Sequence, residues 1–582
     1  MDGHQGWSES RRRFSARARA VAAGAVAAAV LGMAPLAAQQ NVLVLLADDL
    51  GCDAVGCYGS PSAPPTPNLD ALAAGGVRFL GTHTSPTCSP TRGELMTGRY
   101  GFRIGVAGAL GGTDVGIDPQ ETLLPTALLG TGRQCALIGK WHLGTRYGNA
   151  TPNTLGWPHF VGAIDAGIPD FSLWPKVRNG VASTSTRYAT TDEVDEALLW
   201  IAARTTPWLC VVSFHAPHRP FHAPPPHLHT QNLAGLDPAV TPRPFFVAMV
   251  QALDTEIGRL LQGLGAARAN TTVVLLGDNG TDGEVVAPPT NPAHAKGSLY
   301  QAGTHVPLIV NGPAVVHPGR TSPALVHTVD LFPTLLQLCG APLPPASSPR
   351  PLDGLSMLPL LADTTNALRP HLYLEIRGTP FGGGYALKDG RYELLRFLQT
   401  VPQHQELYDL ATDPLEQHDL LAGTPSPGAM QQQQRLEALL AAVRSDGWVE
   451  GYASGCPGSG GVPTLRAQTM PKLGDWFYVQ VQNAPLLAAP LALVAWGDSR
   501  TQANGRSLPF DLGPFGMPGC AILQSFQAVM MVSPTTGYAR EWVPPAPTLL
   551  GAEFFAQAVV AEPGANVPGL IGSRGLRCVV GT

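Results

Sequence analysis

The chain has 582 residues, with 37 Lys and Arg against 42 Asp and Glu and a formal net charge of -5. That length exceeds one ordinary core and points to two or three domains, and the near-balanced charge excludes a general nucleic-acid binder. Only 14% of residues are charged, while 66 Gly and 56 Pro supply many turns, a composition that favours strands and loops over long repetitive helices.

The first 38 residues read as a signal peptide: Arg11, Arg12, Arg13, Arg17 and Arg19, then apolar Ala20 to Leu31, then small residues through Ala38. The apolar stretch is too short to span a bilayer, and no later segment is long and apolar enough. Removal near Ala38 and export to the periplasm, cell surface or medium are expected. Ser10-Arg11-Arg12-Arg13-Phe14 resembles a twin-arginine signal, and a general secretory signal fits equally well.

Four continuous apolar runs come next, at Asn41 to Leu46, Cys135 to Ile138, Trp208 to Phe214 and Thr272 to Leu276. Each reads as a buried parallel strand. Between them lie helix signals. Thr66-Pro67 opens Asn68 to Ala74, which closes at Gly75, and Phe245 to Leu264 carries one apolar stripe. Strands alternating with such helices predict an α/β fold with a doubly wound, mostly parallel sheet.

The residues just past each strand carry the chemistry: Asp48-Asp49, then Lys140 and His142, then His215-Ala216-Pro217-His218, then Asp278-Asn279-Gly280. Ligands of open α/β sheets gather beyond the carboxyl ends of the strands, so these clusters are expected to converge. Asp48, Asp49, Asp278 and Asn279 offer hard oxygen ligands suited to Ca²⁺, with Mg²⁺ second. His215, His222, His227 and His229 read as structural.

Beyond residue 360 the texture changes. Tyr385 to Leu395 reads as strand, turn and strand, and a helix is expected through Arg444. From Tyr452 the sequence is rich in Gly, Pro and short strands such as Trp476 to Val481 and Leu491 to Ala495, which predicts a β-sandwich-like module. Nine cysteines are too few for a disulfide framework. Cys52 with Cys57, and Cys456 with Cys520, are the plausible bridges, whereas Cys135, Cys210 and Cys339 lie in apolar runs and read as inert buried thiols.

Thr87-Cys88-Ser89-Pro90-Thr91-Arg92-Gly93 contains a Cys-x-Pro-x-Arg pentapeptide. With the adjoining Gly93 to Tyr100, Leu46 to Gly51 and Gly139-Lys140-Trp141-His142-Leu143-Gly144, it resembles the type I, arylsulfatase-like sulfatases over residues 40 to 445. The resemblance implies an alkaline-phosphatase-like fold, with a catalytic domain at 39–362 and a small antiparallel subdomain at 363–450, and the β-rich module read from the residue pattern then spans 451–582.

It also implies that a maturase oxidises Cys88 to formylglycine, whose hydrate is the nucleophile, and that Ca²⁺ sits on Asp48, Asp49, Asp278, Asn279 and the modified Cys88. A hydrated aldehyde offers one hydroxyl to attack sulfur and a second to expel the product. Arg92 and the metal would hold it, and His142 would take the proton from the second hydroxyl. Lys140 and Lys296 would neutralise the sulfuryl oxygens, while His218 with Lys296 would protonate the leaving alcohol. The expected substrate is a sulfated carbohydrate or an aryl sulfate. A phosphonate or phosphate monoester hydrolase of the same superfamily and a sulfated-glycan-binding pseudoenzyme are the alternatives. The family's Glu-Gly-Gly-x-Arg-Val-Pro reads Gln301-Ala302-Gly303-Thr304-His305-Val306-Pro307 here, which leaves the substrate open. Residues 145 to 190 and 219 to 243 are expected to form much of the rim.

Overall fold

The computed structural model describes residues 40–443 apart from 113, 115, 346, 347, 349, 377–382 and 398–403, together with strands between 448 and 579. The residues expected to form a signal peptide, together with Cys456 and Cys520, lie outside the described residues. The chain divides into two compact units, one of residues up to Tyr100 with Ala107–Leu420, the other of Gly101–Val106 with Leu421–Thr582.

The first unit is built on a ten-stranded sheet whose strands are β1 (Asn41–Ala47), β2 (Gly76–His83), β3 (Gln134–Lys140), β4 (Phe160–Ala163), β5 (Trp174–Arg178), β6 (Val181–Ser185), β7 (Trp208–Ser213), β8 (Thr271–Gly277), β9 (Leu308–Asn311) and β10 (Arg320–His327). Their order is β10-β2-β9-β8-β1-β7-β3-β4-β5-β6. The centre, from β8 to β4, is parallel, and β9 and the β5–β6 hairpin run antiparallel. The four apolar runs are β1, β3, β7 and β8.

Four longer helices of this unit are α1 (Pro67–Ala74), α2 (Cys88–Thr97), α3 (Ala189–Ala202) and α4 (Pro242–Gly263), and α5 (Leu331–Leu338) comes after them. Pro242 begins α4 three residues before the expected start, at the first helical position, where its missing N–H costs nothing. Residues of α1, α3 and α4 share one core with Leu43, Leu45, Cys210, Val212, Val273 and Leu275. Their alternates Val42, Val44, Leu46, Leu209, Val211 and Val274 point the other way by the pleat and are just as buried. Both faces are therefore covered, as a doubly wound sheet requires, and α2 packs against α5.

Register aligns the chemistry. Leu46 pairs with Leu276 on one side and Ser213 on the other, and Gly139 pairs with Ser213, so four strands end within a residue or two of one level. Beyond them lies a four-stranded antiparallel sheet, β11 (Leu372–Ile376), β12 (Gly384–Lys388), β13 (Tyr392–Phe397) and β14 (His404–Asp409).

In the second unit, α6 (Pro427–Val443) precedes a set of antiparallel strands. A six-stranded sheet includes Trp448–Tyr452, Gly575–Val579, Glu553–Ala561 and Ala492–Gly497, and a three-stranded sheet joins Thr464–Ala467, Asp475–Gln482 and Tyr538–Val543.

The cysteine expectations divide. Cys135, Cys210 and Cys339 are buried free thiols. Cys52 and Cys57 are also free, which overturns the expected bridge. They occupy successive short turns, Cys52–Ala54 and Gly56–Tyr58, and the Cys57 amide is held instead by Asp70, at 2.7 Å. Among the described residues no helix is long and apolar enough to cross a membrane.

Candidate active site

Three strand ends are stitched together by backbone hydrogen bonds: Asp278 N–H donates to the Ala47 carbonyl at 2.9 Å, and Asp48 N–H donates to the Ala216 carbonyl at 3.1 Å. Asp49 then turns the chain at a φ of 65°, left-handed and uncommon for a residue with a side chain. Its N–H donates to Asp278 Oδ1 at 3.0 Å. Gly280 must be glycine, because a Cβ there would lie 1.8 Å from the Ala302 carbonyl oxygen.

Cys88 is the first residue of α2, whose ten residues are all buried. Its Sγ lies 3.2 Å from Asp48 Oδ1. One turn on, Arg92 Nη2 meets Asp278 Oδ2 at 2.7 Å and Asp48 Oδ1 at 3.5 Å, and Nη1 donates to Ser213 Oγ. Lys140 Nζ is 2.5 Å from Asp48 Oδ2. Lys296 Nζ is 2.6 Å from Asp49 Oδ1, and its loop is fixed by Lys296 N–H to the Thr281 carbonyl and Gly297 N–H to the Pro86 carbonyl. His218 Nε2 lies 3.8 Å from Asp49 Oδ2. Asn279 Nδ2 donates to Asp49 Oδ1 at 2.8 Å. One buried cluster therefore gathers Asp48, Asp49, Cys88, Arg92, Lys140, His218, Asp278, Asn279 and Lys296.

The two histidines are held in defined tautomers. A carbonyl can only accept, so His142 Nε2 carries the proton it gives to the Leu110 carbonyl at 2.9 Å. Among the described residues its Nδ1 has no hydrogen-bond partner and is buried. His218 Nδ1 likewise donates to the Arg219 carbonyl at 2.6 Å, turning Nε2 toward Asp49. Burial pushes both imidazoles below their usual pKa, helped at His142 by Lys140, so the neutral form is favoured.

Charge is concentrated here. Burial works against the Asp48 carboxylate, but Lys140, His218 and Arg92 together hold it well below the usual range. Asp278 is pushed up to about 7 by burial and then by Asp48. Burial, then Asp278 and Asp48, raises the Cys88 thiol well above its ordinary value. A helix N-terminus normally favours thiolate. Here burial and then the carboxylates defeat it, so the unmodified thiol is a poor nucleophile.

The donor set fits a hard divalent cation. Oxygen, sulfur and nitrogen atoms of Asp48, Asp49, Cys88 and His218 lie within 4.8 Å of one another, and Asn279 Oδ1 is buried without a hydrogen-bond partner. Three crowded carboxylates with an orphaned amide oxygen are what Ca²⁺ or Mg²⁺ would bind.

Some contributors carry no sequence signal. Ser213 Oγ accepts from Arg92 and donates to the Lys140 carbonyl at 2.7 Å. Ser89 Oγ accepts the Leu110 N–H at 3.1 Å, and so links the pentapeptide to the carbonyl that orients His142. His215 faces Glu193 at 2.5 Å, and His222 stacks on Phe171. Gln301 to Pro307, where the family pattern is broken, packs against the end of β2 and the segment after β14: His305 bridges to and stacks on His83, and Gln301 N–H donates to Glu416.

This sheet, with acids and lysines buried at its strand ends, defines a hydrolase of the alkaline-phosphatase-like class. The sulfatase family matches residues 40–341, and the N-sulphoglucosamine sulphohydrolase C-terminal family matches residues 293–446. The chain belongs to the sulfatase family and is a sulfuric ester hydrolase. It is 29% identical to human arylsulfatase A over 69% of this chain and 87% of that protein. It is 31% identical to human N-acetylgalactosamine-6-sulfatase over 57% of this chain and 68% of that protein. The solved structure of Ps i-CgsB, also crystallised with k-i-k-neocarrahexaose, is 25% identical with a TM-score of 0.60 and covers 70% of this chain and 92% of its own.

Proposed function

We propose that this protein is an exported sulfatase that uses formylglycine at position 88 and calcium to cleave a sulfate ester on a carbohydrate. The observation that carries the reading is Cys88, a thiol kept protonated between Asp48 and Asp278 at the head of a fully buried helix. Oxidised and hydrated, this side chain supplies the hydroxyl nucleophile, and a bound Ca²⁺ supplies charge for the sulfuryl oxygens.

The remaining chemistry belongs to the chain. Asp48, Asp49, Asp278 and Asn279 hold the cation, and Arg92, anchored by Ser213 and Asp278, fixes the modified residue from below. His142 presents a bare Nδ1 and accepts the proton of the hydroxyl that expels sulfate. Lys140 and Lys296 are pinned by Asp48 and Asp49 and stabilise charge on the sulfuryl group. Lys296, a cation held by Asp49, stands on the leaving-group side and returns a proton to the alcohol, and His218 joins it as a donor only in its protonated form. A carbohydrate ester is favoured because the relatives include N-acetylgalactosamine-6-sulfatase and a protein solved with k-i-k-neocarrahexaose.

The test is the tryptic peptide containing Cys88 from protein made with a competent maturase. It should carry an aldehyde, and C88A should lower sulfate release by at least about 10³-fold. An active preparation bearing only thiol would refute the mechanism, and a large preference for matched aryl phosphate over aryl sulfate would favour the phosphoester alternative.

A further inference from the structure

We propose that Arg219, Asp282 and Glu284 form a hydroxyl-reading subsite that selects a neutral, singly sulfated sugar and disfavours a second anionic group beside the ester. This rests on the carbohydrate sulfatase reading above and narrows its substrate.

The three residues adjoin the leaving-group side of the centre by construction. Arg219 is next in the chain to His218, and its carbonyl takes the His218 Nδ1–H. Asp282 is next to Thr281, whose carbonyl holds the Lys296 amide and whose hydroxyl accepts the Gly51 N–H and donates to Asp53 at 2.7 Å. Arg219 also lies close enough to Asp49 to feel its charge, so in the reading above Arg219 and Asp282 border the region where the alcohol leaves.

The cluster is organised before any ligand arrives. Arg219 Nε and Nη2 both donate to Asp282 Oδ2, at 2.9 and 2.5 Å, and Nη2 also lies 3.2 Å from Glu284 Oε1. The other Asp282 oxygen accepts the Glu284 N–H at 3.0 Å. Among the described residues Nη1 of Arg219 makes no hydrogen bond, although the guanidinium lies over the Phe221 ring at 6.0 Å to its centroid, and the Arg219 and Glu284 side chains are 47% and 59% exposed. A free N–H edge thus stands beside an exposed carboxylate.

A sugar hydroxyl both donates and accepts, so adjacent hydroxyls can satisfy the Arg219 edge and the Glu284 carboxylate together. An aryl ring can satisfy neither. A second sulfate or a uronate only accepts. It would meet one guanidinium and two carboxylates, a net negative rim whose repulsion acts as selection against it.

The experiment uses the full-length, aldehyde-bearing protein and measures kcat/KM on a panel of monosulfated hexoses, their disulfated counterparts and 4-nitrophenyl sulfate. The best monosulfated hexose should exceed its disulfated counterpart by about tenfold or more, and E284Q should narrow that ratio at least about threefold. R219A should cost about 10- to 100-fold on the sugar, with a loss on 4-nitrophenyl sulfate at least about tenfold smaller. Equal losses on both substrates in R219A, or an unchanged ratio in E284Q, would overturn the subsite. Sulfate release from none of the substrates, 4-nitrophenyl sulfate included, would instead sink the hydrolase reading on which it rests.

Discussion

His142, proposed above as the base, shows how a fold can leave one nitrogen of a side chain bare. Its one proton is given to the Leu110 carbonyl, and its other nitrogen is buried and unclaimed. H142A should lower kcat by about 10²- to 10⁴-fold with little change in KM. Because burial and Lys140 depress its pKa, the base stays neutral as pH falls through the usual histidine value of about 6.5, and charges only below it. The acid limb of the pH profile of kcat should accordingly fall below about 6.5, and a limb above that value would count against His142 as the base. Position 142 was legible because Gly-Lys-Trp-His ends an apolar strand. The tautomer was not, since it depends on a carbonyl 32 residues away.

At the scale of elements, the strands with continuous apolar runs were legible and those without were not. β1, β3, β7 and β8 are buried on both faces, so their sequences announce themselves. β9 has four residues, β5 contains Pro175, and β6 is mostly exposed, so none carries a period to read. The buried acids of the small sheet were likewise invisible in sequence. Burial and then Glu393 push Glu416 up to about 10, so the folded chain keeps a proton that the unfolded chain releases above about 4.3. Stability from this pair is therefore greatest below that pH and declines as pH rises. E416Q keeps a donor toward Glu393 but cannot ionise. Urea denaturation should show it near native stability at pH 4 and about 1–3 kcal/mol more stable than the parent at pH 8.

For the molecule as a whole, the cation is expected to act as a clamp joining the ends of β1 and β8 to the head of α2. Calcium at about 100 times its Kd would add about 2.7 kcal/mol to stability, so chelation should lower Tm by several degrees as well as abolish turnover. N279A, which removes the orphaned oxygen, should weaken that calcium-dependent rise in Tm by about tenfold in apparent affinity, read by thermal melts across a calcium titration.

The second unit takes in Gly101–Val106, a short segment belonging to the long stretch before residue 107, and the Gly101–Ile104 turn packs against the Trp448–Tyr452 strand. Phe102 and Ile104 are buried. Arg103 reaches the Val443 carbonyl at 3.4 Å. Ending the chain after residue 452 would leave that strand without its partner Gly575–Val579 and should lower Tm by several degrees, an outcome absent if the module were a detachable appendage. A late stop codon in this gene would thus do more than shorten its product: it would leave unsupported the strand that packs on apolar side chains translated far upstream, exposing them to chaperones and proteases.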